Sequence, residues 1–116
     1  MIVYVAAPYS NVPDKQKLMD IIARVSAKYM LENPGEYTIT GLVHHYACQH
    51  ESSLGTDWAF WKDFCELFLK RCDKLLVIMH SGWWESGGVQ AEIKFAESLE
   101  IPVQYICPYT YLNLGD

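Results

Sequence analysis

The stretch Gly82-Trp83-Trp84-Glu85-Ser86-Gly87-Gly88-Val89-Gln90-Ala91-Glu92 decides how this chain is read. It follows an apolar run, Leu75-Leu76-Val77-Ile78-Met79, that reads as a buried strand, and it opens a helix expected over Val89 to Glu100. In parallel α/β proteins a strand, a glycine-rich turn and a helix in that order form the place where an anionic ligand sits. Backbone N–H groups and the positive helix end converge there. Gly87 and Gly88 let the backbone approach a ligand closely. Ser86 has the chemistry of an N-cap, and its hydroxyl can serve a phosphate instead.

Glu92 stands out on the helix that follows. At about 3.6 residues per turn, Val89, Ile93, Ala96 and Leu99 form the stripe expected to face a sheet. Glu92 falls on the flank of that stripe, while Gln90, Lys94, Glu97 and Ser98 take the wet side. A carboxylate at the edge of a buried face costs free energy unless it is paired or hydrogen-bonded. Two readings follow: a salt bridge at the rim of the core, or a functional acid.

Outward from this segment the chain alternates. Ile2 to Ala6 reads as a strand ended by the loop Ala7-Pro8-Tyr9-Ser10-Asn11. Asp14 is placed to cap a helix whose apolar positions, Leu18, Ile21, Ile22, Val25, Tyr29 and Met30, recur at helical spacing and which Asn33-Pro34-Gly35 stops. Tyr37 to Val43 reads as a second strand, and His44 to Thr56 as a polar loop. A second helix is expected over Asp57 to Cys72, with Trp61, Phe64, Phe68 and Leu69 on one side. Then come strand Lys74 to Met79, the glycine turn, the third helix, and a last strand from Val103 to Cys107. Pro108 to Asp116 carries no assignment.

This β-α-β-α-β-α-β order implies a single three-layer Rossmann/flavodoxin-like α/β domain over residues 1–116, with a mainly parallel sheet of four to five strands. Ligands bind beyond the carboxyl ends of such strands. Three loops converge there, bringing Pro8, Tyr9 and Ser10, then His44, then Trp83, Ser86 and Gly88. Pro8-Tyr9-Ser10-Asn11 is also ordinary turn composition, and Trp83 and Trp84 suit either base stacking or covering a core.

Composition narrows the classes. The 116 residues suffice for one core, half of them are hydrophobic, and the net charge is −5. An acidic chain without a basic stripe is a poor partner for polymeric nucleic acid. Neither a transmembrane run nor a signal segment is legible, so a cytoplasmic location is expected. Cys48, Cys65, Cys72 and Cys107 lack C-x-x-C spacing and read as thiols. His44-His45-Tyr46-Ala47-Cys48-Gln49-His50 groups three imidazoles and a thiol, yet its spacing matches no usual structural zinc site. Neither metal nor cofactor is expected.

Val3-Tyr4-Val5-Ala6-Ala7-Pro8-Tyr9-Ser10, Cys72-Asp73 before a strand, Gly82-Trp83, and Ser86-x-Gly88-x-x-x-Glu92 together resemble the nucleoside 2-deoxyribosyltransferase superfamily. A short bacterial and phage branch of unassigned function is the nearest likeness, sharing Asp57-Trp58 and Trp61 as well. The resemblance implies that Glu92 is the nucleophile, attacking C1′ of a sugar, expelling the base and leaving a glycosyl ester for water or a second base. It implies that Tyr4 orients Glu92 and that Ser86 receives the substrate's phosphate; by their place at the carboxyl ends of the strands, Pro8, Tyr9, Ser10, His44, Asp57, Trp83 and Gly88 join Ser86 as substrate-binding candidates. Six residues before the nucleophile, nucleoside transferases tend to carry an aspartate, and the branch hydrolysing deoxynucleoside 5′-monophosphates a serine, as at Ser86. A hydroxyl at a helix N-terminus welcomes a phosphate that an aspartate would repel.

One position departs from the pattern. Cys65 stands where relatives usually place an aspartate that helps hold sugar or base, and its neighbours Asp63 and Glu66 point elsewhere on a helix. Asp57 is a possible substitute or a plain N-cap. Two functions therefore remain open: an N-glycosidase or deoxyribosyltransferase acting on a (deoxy)nucleoside 5′-monophosphate, or a non-catalytic protein that binds or sequesters a nucleotide. Relatives associate, so a homodimer or higher homo-oligomer is expected.

Overall fold

The computed structural model describes residues 1–43 and 58–114. Four strands, β1 (Ile2–Ala6), β2 (Tyr37–Ile39), β3 (Lys74–Ile78) and β4 (Val103–Ile106), form one all-parallel sheet in the order β2-β1-β3-β4. The helices among the described residues are α1 (Lys15–Glu32), α2 (Trp58–Leu69), α3 (Gly87–Ser98) and a short α4 (Pro108–Tyr111). This is a Rossmann/flavodoxin-like α/β fold. Short parallel strands buried on both faces read as apolar runs, and Leu75, Leu76, Val77 and Ile78 are all fully buried.

The sheet divides the core in two. On one face Val3, Val5, Leu76 and Ile78 pack against Leu18, Ile21, Ile22 and Val25 of α1. On the other, Tyr4, Ala6, Leu75 and Val77 meet Trp61, Cys65 and Leu69 of α2 and Val89, Ile93 and Ala96 of α3. Alternation along β1 thus sends Tyr4 to the face that α3 covers. From β1 the chain steps first to one neighbour, β2, and later to the other, β3. The switch point lies beyond the carboxyl ends of β1 and β3.

Local chemistry sets the helix ends. The Asp14 carboxylate accepts the Lys17 N–H at 2.9 Å, capping α1. The Asn33 N–H closes that helix on the Tyr29 carbonyl at 2.9 Å, and Gly35 turns the chain at φ +90°. Ser86 caps α3, its Oγ accepting the Val89 N–H at 3.3 Å.

Several boundaries differ from the sequence expectation. β2 ends at Ile39 rather than Val43 because the Thr40 hydroxyl donates to the Val5 carbonyl at 2.8 Å and accepts the Leu42 N–H at 3.2 Å, replacing the next ladder bonds. α2 stops at Leu69, where Arg71 and Cys72 donate three residues back, to Phe68 and Leu69, in a tightened last turn. On α2 the inward residues are Trp61, Cys65 and Leu69, whereas Phe68 is exposed. α3 runs Gly87–Ser98, so Leu99 becomes its C-cap and is 46% exposed. The chain then passes Glu100 at φ +59°, and Ile101 packs on the core instead. Residues 108–111, left unassigned in the sequence, form α4 beside α1. The segment His44 to Asp57 lies outside the described residues.

Candidate functional site

A cavity of about 260 Å³ opens at the switch point. The β1 loop, residues 7–12, forms one wall, and the turn after β3 contributes Ser81 and Gly82. Gly82 holds φ +87°, a left-handed conformation that L side chains avoid. The first turn of α3 supplies Ser86, Gly87, Gly88 and Val89, while Tyr4, Cys65 and Glu92 line the interior.

Glu92 is the only charged residue buried among the described residues, 7% exposed. It lies on the inward face of α3 with Val89, Ile93 and Ala96, deeper than the flank position its spacing implied. Among the described residues no cation bears on it; its polar neighbours are the Tyr4 hydroxyl and the Cys65 thiol, which line the same cavity. The rim salt bridge considered from sequence is not formed among the described residues. Burial pushes the Glu92 carboxyl up to about 8, and the polar Tyr4 and Cys65 side chains pull the other way without cancelling it. Near neutral pH Glu92 is mostly a neutral acid.

Its neighbours respond in kind. Burial, followed by the Glu92 charge, pushes the Cys65 thiol up to about 12, and the same causes in the same order raise the Tyr4 phenol. Both are protonated donors at any ordinary pH. They come from different elements, Tyr4 from the middle of β1 and Cys65 from α2, so only tertiary packing brings them to the carboxyl group.

The glycine turn brings hydrogen-bond donors to the cavity. Ser86 uses its oxygen as the cap acceptor, which leaves its hydroxyl hydrogen to donate. α3 is 12 residues long, so its N-terminus carries an appreciable positive end. From Ser86 to Glu92 the helix rises about 9 Å.

Of the residues singled out in the sequence, Tyr4, Pro8, Tyr9, Ser10, Ser86, Gly88 and Glu92 all line this cavity. Trp83 does not. It is half-buried against the α2–α3 face of the core, its ring 5.3 Å from that of Trp84 and 5.8 Å from that of Tyr105. Trp84 is 67% exposed. His44 and Asp57 fall outside the described residues, as does the cluster from His44 to His50. No group of three or more potential metal ligands occurs among the described residues.

Asp73 serves the opposite end of the sheet: its carboxylate accepts the Ile2 N–H at 2.7 Å, and its own N–H donates to the Ile2 carbonyl at 2.8 Å. Cys65, the position that departs from the resemblance, lines the cavity beside the key carboxyl group. Its helical spacing from Trp61 and Leu69 was the available signal, since it placed position 65 on the inward face.

The fold and the cavity define an α/β protein with a buried acid beside a helix N-terminus at the switch point. The chain belongs to the family described as Domain of unknown function (DUF1937), whose model matches residues 1–108. A search of curated proteins gives no match. No helix among the described residues is long and apolar enough to cross a membrane.

Proposed function

We propose that this protein cleaves the N-glycosidic bond of a (deoxy)nucleoside 5′-monophosphate, as an N-glycosidase or deoxyribosyltransferase. The observation that carries the reading is a single cavity lined both by the Ser86-Gly87-Gly88 helix start and by the buried Glu92. Phosphate is seated on the helix N-terminus, which favours an anion through its N–H groups and dipole. About 9 Å of helix rise separates this seat from Glu92, a span suited to the distance from a 5′-phosphate to C1′.

The ionised Glu92 carboxylate attacks C1′ while the C1′–N bond breaks, and the base leaves with the electron pair and takes up a proton. The glycosyl ester then passes its sugar to water or to a second base. Tyr4 holds the carboxylate by its hydroxyl. Because burial pushes the Glu92 carboxyl up to about 8, about one molecule in ten carries the attacking anion at pH 7. Positive charge developing on the sugar favours that anion in the transition state.

A second reading rests on the same protonation. A carboxyl group that is neutral at pH 7 suits a protein that binds a nucleotide without cleaving it. Chromatography of free base, released from a panel of nucleosides and their 5′-monophosphates, separates the two. Release by wild type and not by Glu92→Ala supports cleavage. A folded wild type that binds a monophosphate and releases nothing supports binding alone.

We also propose that the chain forms a homodimer or a higher homo-oligomer in the cytoplasm. Phe60, Leu67 and Phe68 stand exposed on α2, apolar surface of the kind that marks association. Trp84 adds to the exposed aromatics, whereas Tyr109 and Tyr111 are half-buried, Tyr111 donating its hydroxyl to Glu32. Light scattering on the eluting peak measures the assembly.

A further inference from the structure

With Glu92 as the reacting group proposed above, the neighbouring thiol takes on a role of its own. We propose that Cys65 is a positioning residue: its thiol, together with the Tyr4 hydroxyl, clamps the Glu92 carboxyl group at the cavity wall.

Three elements supply the cluster, and each side chain lines the same cavity: Tyr4 from β1, Cys65 from α2 and Glu92 from α3. All are buried, at 2%, 2% and 7% exposure. Each of the three side chains acts on the other two, so the phenol, the thiol and the carboxyl group form a buried triangle at the cavity wall. The β2 side closes on it without room to spare. A Cβ placed on Gly41 would lie 2.9 Å from the Tyr4 hydroxyl and 3.4 Å from the Cys65 sulfur. The thiol therefore has little freedom to move away from the carboxyl group.

The chemistry suits a clamp rather than a nucleophile. Thiolate, not thiol, attacks, and the buried Cys65 stays protonated across the working range. A thiol donor leaves the site one negative charge poorer than a second carboxylate would, and like charges at close range strongly oppose ionisation of one another. Among the described residues the titratable side chains bearing on Glu92 are Tyr4 and Cys65, with Glu66 acting on Cys65. Cys65 thus helps Glu92 ionise while adding no competing charge.

The test follows the Glu92 carboxyl carbon by NMR titration in protein labelled at glutamate, the resonance being assigned by its loss in Glu92→Gln. Cys65→Ser keeps a donor, Cys65→Ala removes it with a smaller side chain, and Cys65→Val removes it with a larger one. The midpoint is expected to rise by about half a unit to one unit in both the alanine and valine variants, since a sulfhydryl is a weak donor to a charged acceptor. The serine variant should stay at or below the wild-type midpoint. Equal midpoints in all four proteins, or opposite shifts for alanine and valine, would overturn the clamp. Base release is measured on the same samples. If the midpoints shift as expected and no protein releases base, the clamp stands and the glycosidase reading falls. If wild type and Cys65→Ser release base and the other two lose kcat at unchanged KM, both stand.

Discussion

Replacing Glu92 by glutamine should make the protein more stable, and by an amount that grows with pH. The carboxyl group titrates near 4.5 in the unfolded chain and near 8 when folded. Below about 4.5 it is protonated in both states, and its contribution to folding is fully present. Above 4.5 the unfolded chain gains the free energy of ionisation while the folded chain does not, so stability falls until the folded group also ionises near 8. A raised pKa thus loses stability as pH climbs through this window. A gap of about 3.5 units corresponds to about 5 kcal/mol, approached only above pH 8. Glutamine keeps the shape and hydrogen-bonding capacity of the acid and cannot ionise. Urea denaturation of both proteins, at matched pH from 6 to 8, should show the variant's advantage widening by about 2 kcal/mol at similar m-values. Groups that titrate alike in the two proteins cancel from this difference, and the two that touch Glu92 ionise well above the range. Stability curves that run parallel to within about 0.5 kcal/mol would refute the argument, because they would mean that Glu92 is hydrated or paired with a cation.

Other consequences are open to measurement. If Glu92 must ionise to react, kcat/KM should fall about tenfold per pH unit below 8, and a profile level from 6 to 8 would count against it. At the helix start, Ser86→Asp should keep the cap yet weaken nucleotide monophosphate binding more than Ser86→Ala does, whereas the alanine variant should lose about 1 kcal/mol of stability; calorimetric titration and melting measure the two effects. Gly41→Ala should cost about 1–3 kcal/mol, because the new methyl lies 2.9 Å from the hydroxyl of a buried, rigid Tyr4 ring; an unchanged melting temperature would show that the triangle yields. Asp73→Ala should lose about 1 kcal/mol through the Ile2 bond while leaving ligand affinity unchanged, which separates a sheet tie from a substrate contact.

Much of the architecture was legible because it is written locally. The apolar strand runs, the helical spacing in α1, and the caps at Asp14 and Ser86 each depend on residues a few positions apart, where backbone sterics and hydrogen bonding decide. Alternation of strands and helices then leaves a parallel sheet as the economical arrangement, and the glycine turn before α3 marks where a ligand would enter. The same local logic erred where a side chain competed with the ladder, as Thr40 does at the end of β2, and where a left-handed residue redirected the chain, as Glu100 does after α3.

What tertiary structure alone decided is who meets whom. Nothing near Cys65 in the chain says that its thiol will face a carboxyl group 27 positions later in sequence, or that Tyr4 will close the triangle from β1. Trp83 reads from sequence as available to stack on a base, yet it packs beside Tyr105, and Asp73 ties β1 at the end of the sheet away from the cavity. The depth of Glu92, and so its proton affinity, follows from how closely α2 and α3 pack over β1. Strand and helix periods restrict each side chain to a face, but burial is a property of the neighbours that cover that face, and those neighbours are chosen by packing across the whole fold.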